Sequence, residues 1–258
     1  MNELLEDPYL YFNSNPLTDS LANNWQTIRD EFYTLLSTEF NYDAVFNKIN
    51  PQVKHDPDGE DHILYNGRFN SVPVYLKREL LDRYEAKDWP KDKKELIYNA
   101  RLKHLPFITN FINEYKHIMG ATTFNISFPG SLLSHHFGLS PDYLRLHLCL
   151  KEDHNCIFDI ENWRHTWKEG ELFAFDDAHV LHGTKHYSTD SSTNRIILLI
   201  DIKKDYLKQY AKSWPSRTEK PERFPIPNLR GWVENSVNLG TNVFVNEWPK
   251  NIKPTKII

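Results

Sequence analysis

The spacing of hydrophobic residues changes near residue 120 and divides the sequence into a helical region and a strand region. Before this point, apolar side chains recur every three or four positions, as on the buried face of an amphipathic helix. One such stretch, preceded by a capping residue, contains Leu21, Trp25, Ile28, Phe32 and Leu35. A second stretch covers residues 105–119, and Gly120 is placed to end it. The pattern predicts two helices ahead of the change.

From residue 121 onward, apolar and polar residues alternate, which is typical of strands that bury one face. Residues 123–128 alternate and end at a Pro-Gly turn signal. In the next strand four leucines share one face, and the opposite face carries Tyr143, Arg145, His147 and Cys149. Residues 172–175 and 196–202 are further strands, and the second is apolar enough to be buried. Short strands separated by turns favour a sandwich or a barrel.

The 258 residues fit one large β domain with helical additions, or two small domains. We divide the chain into a domain over residues 1–202, with a helical region over residues 1–120 and a β core over residues 121–202, and an extension over residues 203–258. Residues 41–62 are polar and predict a loop, and Pro73 predicts an edge position for a strand over residues 72–76. The extension has no clear period, and we expect it to pack through its tryptophans, Trp214, Trp232 and Trp248.

Charge and hydropathy exclude several classes of protein. The formal net charge is −4, so a broad nucleic-acid footprint is not expected. The mean hydropathy is −0.62, and no apolar run approaches the length of a membrane span. The acidic N-terminus does not resemble a signal peptide, so we expect a cytoplasmic protein without membrane contact. Two cysteines, Cys149 and Cys156, are too few for a zinc site made of thiols alone or for a disulfide framework.

Histidines and arginines supply the candidate chemistry. Arg145 and His147 lie on the strand face opposite the four leucines, so this face is a site wall if it points into a barrel. Arg195 opens the most apolar strand, where a buried guanidinium needs an anionic partner. His136 and His182 are candidate metal ligands, because imidazoles suit iron and a site with open positions can bind a cosubstrate and dioxygen.

The order of these motifs resembles the aspartyl/asparaginyl β-hydroxylase family of iron(II)- and 2-oxoglutarate-dependent oxygenases. The likeness covers residues 121–202 well and residues 21–30 more loosely. Its elements are a histidine followed by glycine, an Arg-x-His, a Trp-x-x-Gly turn, a Phe-Asp-Asp stretch, a second histidine and a strand-opening arginine. In order along the chain they are His136, Gly138, Arg145, His147, Trp167, Gly170, Phe175, Asp176, Asp177, His182 and Arg195.

The resemblance implies a mainly β fold, a double-stranded β-helix or jelly roll with helices packed outside one sheet. It also implies that His136 and His182 hold Fe(II). Many related oxygenases add a carboxylate two residues after the first histidine. Gly138 stands there in this chain, as in the family it resembles, and leaves one more metal position for water.

The cosubstrate contacts are also implied by the resemblance. Arg145 and His147 would assist the keto-acid end of 2-oxoglutarate, and Arg195 would anchor its distal carboxylate, as an arginine fork suits such a group. Asn125 stands where the family uses a small hydroxyl residue on the cosubstrate, and its amide can still donate. Dioxygen would then convert 2-oxoglutarate to succinate and CO2 while an unactivated carbon is hydroxylated.

Several residues have simpler interpretations. Either His135 or His136 can be a surface or core histidine, and His182 with His186 has the spacing of a helical zinc pair, although the strand context opposes a helix there. His179 and His186 are expected to be solvent-exposed or supporting groups. The two aspartates before His182 are most simply a turn and are not expected to be ligands.

An amino acid, free or within a peptide or carrier, is the expected substrate. Family members that act on aspartyl residues use an arginine two positions before the cosubstrate arginine. Tyr143 occupies that position here, and a tyrosine cannot form the same bidentate pair with a carboxylate. Lys77 and Arg78 lie where the family has substrate-facing residues.

Two other functions remain open at this stage. Halogenases of the broader superfamily also lack the metal-binding carboxylate, and a halide takes its place. A non-catalytic binding protein on the same fold is the other alternative, which the joint presence of all five functional positions disfavours.

Overall fold

The computed structural model describes residues 9–38, 69–77, 98–138, 141–160, 163–188, 193–212, 214 and 256–257. The helices are α1 (Pro16–Asn23), α2 (Trp25–Thr38), α3 (Pro106–Tyr115) and α4 (Lys204–Lys208). The first strands are β1 (Tyr9–Leu10), β2 (Phe69–Leu76), β3 (Met119–Ser127), β4 (Leu132–His136), β5 (Tyr143–Lys151) and β6 (Cys156–Ile160). The later ones are β7 (Trp163–His165), β8 (Leu172–Phe175), β9 (His182–His186), β10 (Arg195–Lys203) and β11 (Lys256–Ile257).

These strands form two sheets that together make a double-stranded β-helix. The larger sheet has six strands in the order β1-β8-β5-β10-β3-β2, and the smaller has five in the order β11-β7-β6-β9-β4. All pairs are antiparallel except β11 with β7. From β3 to β10 the chain passes back and forth between the sheets, as in a jelly roll. The predicted fold class is confirmed.

The first predicted helix is present but is broken into α1 and α2 at Asn24. Asn15 caps α1, since its side-chain oxygen accepts a hydrogen bond of 3.1 Å from the backbone N–H of Thr18. Pro16 follows in the first turn, where its missing N–H costs nothing. The apolar positions predicted for this stretch pack into the core, with Leu21, Ile28, Phe32 and Leu35 fully buried.

The second predicted helix is shorter than its pattern suggested. The helix α3 ends at Tyr115, whereas the prediction extended it to residue 119 with Gly120 as its stop. Met119 and Gly120 instead open β3. A Cβ atom at Gly120 would lie 2.9 Å from the ring of Tyr143, so this glycine permits close packing between neighbouring segments and does not terminate a helix.

The two faces of the larger sheet have different partners. The leucines of β5 and the even-numbered residues of β10 pack against the helices in one core. The opposite face, which includes Cys149 and Ile197, packs inside the barrel with an aromatic cluster from both sheets. Members of that cluster are Phe158, Trp167, Phe173 and Phe175. The alternation predicted for β5 is confirmed, and its Arg145/His147 face lines the barrel.

The peripheral predictions have mixed outcomes. The strand containing Pro73 is an edge strand, as expected, and lies at one end of the larger sheet. Trp214 packs against the helical core. The loop over 41–62, Trp232 and Trp248 lie outside the described residues. Among the residues that are described, no helix has both the length and the apolar character needed to cross a membrane.

The contact between α2 and the larger sheet should dominate the stability of the helical layer. Phe32 stacks on Phe124 with ring centroids 4.0 Å apart, and both rings are fully buried. Phe32→Ala should lower the free energy of unfolding by about 3–5 kcal/mol, because it leaves a cavity in the core. The exposed Gln26→Ala on the same helix should change it by less than about 0.5 kcal/mol. Denaturant unfolding measures the free energy of unfolding of both variants. Small and equal changes in the two would contradict this packing.

Candidate functional site

His182 enters the barrel from β9 with its ring orientation already set. Its Nδ1 lies 2.8 Å from the backbone carbonyl of Val180, so Nδ1–H donates and Nε2 carries the lone pair. The residue is buried, and its ring packs between Phe158 and Phe175, with centroids 5.9 and 4.9 Å away. A neutral imidazole held in this tautomer can ligate a metal ion through Nε2.

The register of the smaller sheet sets His136 opposite His182. Directly opposed residues of an antiparallel pair have Cβ atoms about 4.5–5.5 Å apart, a separation from which two imidazoles can share one metal ion. Among the side chains that the structure describes, no group of three or more His, Cys, Asp or Glu is arranged to hold a metal. The backbone pairing of residues 136 and 182 is compatible with a site built on two histidines.

Gly138 lies against Asp177, and this contact explains why a glycine is needed. The N–H of Gly138 donates to the carbonyl of Asp177 at 2.6 Å. A Cβ atom at residue 138 would collide with the Asp177 carboxylate. An aspartate or glutamate at position 138, as in the common His-x-carboxylate pattern, therefore does not fit in this structure.

Arg145 is held by two carboxylates of the protein itself. Its Nε and Nη2 donate to Asp201 at 2.9 and 3.0 Å in a bidentate pair, and its Nη1 lies 2.8 Å from Asp177. Burial raises the pKa of Asp177 to about 7, since the loss of hydration and the nearby carboxylates of Asp201 and Asp176 outweigh the attraction of Arg145. The predicted contact between Arg145 and the cosubstrate remains a prediction.

The turn before His182 is also held by polar contacts of the Asp176 side chain. Asp176 accepts from Lys204 at 2.5 Å and from His179 at 2.9 Å. A turn at these aspartates was predicted and is present, but both side chains are buried in ion pairs. His179 is buried as well, so it is a supporting group and not a solvent-exposed one. Asp201 and Lys204 were not singled out in the sequence, because nothing local marks them as partners of residues far away in the chain.

His147 is surrounded by rings and is held neutral. Its ring lies 5.4 Å from Phe158 and 5.1 Å from Phe175, the same two rings that contact His182. Burial lowers the pKa of His147 well below its usual value, and the positive charges of Arg195 and Arg145 lower it further. His147 and His182 thus approach one aromatic cluster from opposite sheets.

Arg195 places a positive charge in the buried interior of the barrel. It is 1% exposed, and its guanidinium lies over the ring of Trp167 at 4.2 Å. Neither Nε nor Nη1 of Arg195 has a hydrogen-bond partner within the described ranges, and the same holds there for Nε1 of Trp167 and Nδ1 of His147. Unmatched buried donors of this kind require an explanation, and a bound anion is the simplest one. The sequence pattern placed the tryptophan in a turn, so its position beside Arg195 was missed.

Asn125 shares the barrel-facing side of β3, opposite the side on which Phe124 and Ile126 pack on the helical core. The hydroxyl of Ser71 donates to its side-chain oxygen at 2.9 Å. With that oxygen engaged, the amide presents its NH2 group as the donor.

His186 has a structural role. Its Nδ1 lies 3.0 Å from the carbonyl of Ser127, and its Nε2 lies 2.9 Å from the Asp153 carboxylate. It belongs to the strand β9, in which residues four positions apart are separated by about 13 Å. The zinc pair with His182 is therefore ruled out by the strand and by both ring contacts.

Two of the three candidate substrate residues, Lys77 and Tyr143, lie next to Gly120. The N–H of Lys77 donates to the carbonyl of Gly120 at 2.7 Å, and the buried ring of Tyr143 packs against the same glycine. Arg78 lies outside the described residues. The structure thus brings two of the three to the end of the barrel that holds Asp201, away from Arg195 at the start of β10.

The fold and the candidate site define a jelly-roll protein in which His136 and His182 are opposed across two strands and Arg195 is buried over the ring of Trp167. The family model described as Aspartyl/Asparaginyl beta-hydroxylase matches residues 22–205. The chain belongs to this family. The match covers the end of α1, the helix α2 and the whole barrel from β2 to β10.

Curated relatives are named aspartate beta-hydroxylase domain-containing protein 2. The one from Xenopus tropicalis is 27% identical over 188 residues, which cover 71% of this chain and 45% of the relative. The human one is 26% identical over 85 residues, covering 33% of this chain and 23% of the relative. The matched region of the chain thus spans less than half the length of either relative.

Two solved structures to which the chain has a distant similarity are an oxidoreductase and a hydroxylase. An oxidoreductase of the 2OG-Fe(II) oxygenase family from Burkholderia pseudomallei has a TM-score of 0.33 and 12% identity, covering 75% of this chain and 93% of that chain. A Pseudomonas putida prolyl-4-hydroxylase has a TM-score of 0.31 and 12% identity, covering 69% and 98% respectively.

The contact between Gly138 and Asp177 can be tested with a double-mutant cycle. Gly138→Ala should lower the free energy of unfolding by about 1–3 kcal/mol, because the new methyl group displaces a carboxylate that is held by Arg145. In an Asp177→Ala background the same change should cost much less, since the space is then open. Denaturant unfolding of the four proteins measures the coupling, and strictly additive effects would show that the two residues do not meet.

Proposed function

We propose that this protein is an Fe(II)- and 2-oxoglutarate-dependent oxygenase that hydroxylates an amino acid, free or within a peptide or carrier. The observation that carries the proposal is the buried Arg195. Family membership supports the same reaction class.

Arg195 fits the distal carboxylate of 2-oxoglutarate. A buried guanidinium without an anionic partner is strongly destabilising, so the protein keeps such a group only where something compensates its charge. Its Nε and Nη1 have no acceptor among the described residues, and guanidinium donors without an acceptor suit the oxygens of a carboxylate. The guanidinium carbon lies 4.2 Å from the centre of the Trp167 ring, and this cation–π contact stabilises the charge without using an N–H donor.

The neighbouring groups are suited to the rest of the cosubstrate. His147 is neutral, because burial and Arg195 lower its pKa, and a neutral imidazole can donate one hydrogen bond without bringing a second charge. Asn125 adds an NH2 donor from β3. Both lie on the barrel-facing side of the larger sheet, which Arg195 shares.

His136 and His182 would hold the metal ion between the two sheets. When bound, Fe(II) with 2-oxoglutarate and dioxygen supplies the oxidising chemistry, and succinate and CO2 are the coproducts. The protein holds His182 in one tautomer through Val180 and surrounds it with Phe158 and Phe175, which exclude water from the reacting centre.

The substrate would approach from the end of the barrel where Lys77 and Tyr143 adjoin Gly120. No arginine stands at position 143, so an aspartyl side chain would lack the pairing that an arginine there provides. We therefore propose an amino-acid substrate other than a plain aspartyl residue. The family match favours hydroxylation over halogenation.

Arg195→Met should weaken 2-oxoglutarate binding by at least about 10- to 100-fold, because a desolvated charged hydrogen bond is worth about 1.5–3 kcal/mol. Metal affinity should not change. Arg29→Met is the matched control, since Arg29 also lies over a tryptophan ring, at 5.0 Å from Trp25, but outside the barrel. Isothermal titration of the anaerobic Mn(II)-loaded proteins with 2-oxoglutarate measures the effect. Equal affinity in wild type and Arg195→Met would remove the proposed anchor.

The metal assignment predicts a contrast between two histidines of one strand. His182→Ala should abolish binding of Mn(II) and production of succinate, because it removes one of two protein ligands. His186→Gln should keep metal affinity within about threefold, since both ring nitrogens of His186 already contact Ser127 and Asp153. Electron paramagnetic resonance of free Mn(II) gives both affinities. Loss of binding in His186→Gln with binding retained in His182→Ala would reverse the assignment.

A further inference from the structure

We propose that Asp201 and Lys204 are positioning residues of the metal site, acting through the turn at residues 176–180. Asp201 acts through Arg145, whereas Lys204 contacts the turn directly. The inference rests on the proposed function, because it concerns how the two histidines are held for one metal ion.

The turn contacts the segment that directly follows β4 and the ring of His182 on β9. The carbonyl of Asp177 accepts a hydrogen bond of 2.6 Å from the N–H of Gly138, two residues after His136. The carbonyl of Val180 accepts the Nδ1 proton of His182 at 2.8 Å. A shift of the turn would therefore change the end of β4 and the ring orientation of His182 together.

Ion pairs hold the turn in place from the larger sheet. Arg145 on β5 donates a bidentate pair of hydrogen bonds to Asp201 on β10, which leaves Nη1 pointed at Asp177, 2.8 Å away. All three guanidinium nitrogens thus contact carboxylates of the protein. Arg195 differs, because its Nε and Nη1 have no such partners among the residues that the structure describes. The geometry thus gives Arg145 a contact with the turn in addition to its predicted contact with the cosubstrate.

A second anchor comes from α4, directly after β10. Lys204 lies 2.5 Å from Asp176, which also contacts His179. The backbone carbonyl of Asp176 accepts the N–H groups of His179 and Val180, both at 3.0 Å. Asp201 and Lys204, three residues apart at the end of β10, therefore fix consecutive residues of the same turn.

The charge-neutral variant Asp201→Asn should loosen the turn without removing any metal ligand. Groups that orient metal ligands from outside typically change metal affinity by about 10- to 100-fold when mutated. We expect such a loss of Mn(II) affinity for Asp201→Asn, measured by electron paramagnetic resonance without 2-oxoglutarate and at a temperature well below unfolding. Lys204→Met should give a smaller loss, about 3- to 10-fold, because this lysine is partly exposed and acts on one side of the turn.

Two controls separate positioning from general stability and from cosubstrate binding. Lys208→Met changes an exposed lysine of the same short helix and should leave Mn(II) affinity unchanged. Arg195→Met should also leave Mn(II) affinity unchanged while weakening 2-oxoglutarate binding. Circular dichroism gives the unfolding midpoint of each variant, so a folded protein with weakened metal binding is recognised directly.

The inference is overturned if Asp201→Asn and Lys204→Met are folded and bind Mn(II) as tightly as the wild type. If Asp201→Asn then weakens only 2-oxoglutarate binding, Arg145 acts on the cosubstrate instead. If Asp201→Asn does not fold, the test rests on Lys204→Met. An Mn(II) affinity of Lys204→Met equal to that of the wild type would then overturn the proposal. If the wild-type protein itself binds no Mn(II), the proposed function is overturned. If the wild type and all variants bind Mn(II) equally, only the positioning role of Asp201 and Lys204 is overturned.

Discussion

The side-by-side pairing of β5 and β10 in the middle of the larger sheet determines both the core and the site. Each strand alternates, so aliphatic residues face the helices while Arg145, His147, Arg195 and Asp201 face the barrel. A shift of one residue in this register would reverse every side chain, exposing charges to the helical core. The aliphatic faces therefore fix the position of the polar groups, although they take no part in the chemistry.

Two arginines on neighbouring strands, the partly exposed Arg145 and the buried Arg195, differ in the partners that surround their charges. Arg145 lies among Asp177 and Asp201, and its charge is compensated by the protein. Arg195 lies on an aromatic ring, and no carboxylate among the described residues accepts from its Nε or Nη1. Burying a lone charge is costly, so the second arrangement is expected only where a ligand completes it. The same residue type thus lies in two different electrostatic surroundings, which its neighbours determine.

Much of the fold could be predicted, since periodicity reports which faces are buried. The strand at 172–175 was predicted with its bounds, and the edge position of the strand with Pro73 followed from the missing N–H of proline. The predicted end of α3 was wrong, because Ile118 and Met119 continue an apolar pattern that suits either a helix or a strand. Gly120 was mistaken for a helix stop for the same reason, whereas its actual constraint is the ring of Tyr143, which is distant in sequence.

The sequence by itself determined the barrel class, the family and the candidate residues, because these depend on local alternation and on the order of motifs. The tertiary structure alone decided which of them lie close together. It placed His136 opposite His182, set Trp167 under Arg195 and filled the space beside Gly138 with the carboxylate of Asp177. It also revealed Asp201 and Lys204 as partners of the turn before His182. Such contacts join residues far apart in the chain, and no local pattern encodes a distance that arises only when two sheets close on each other.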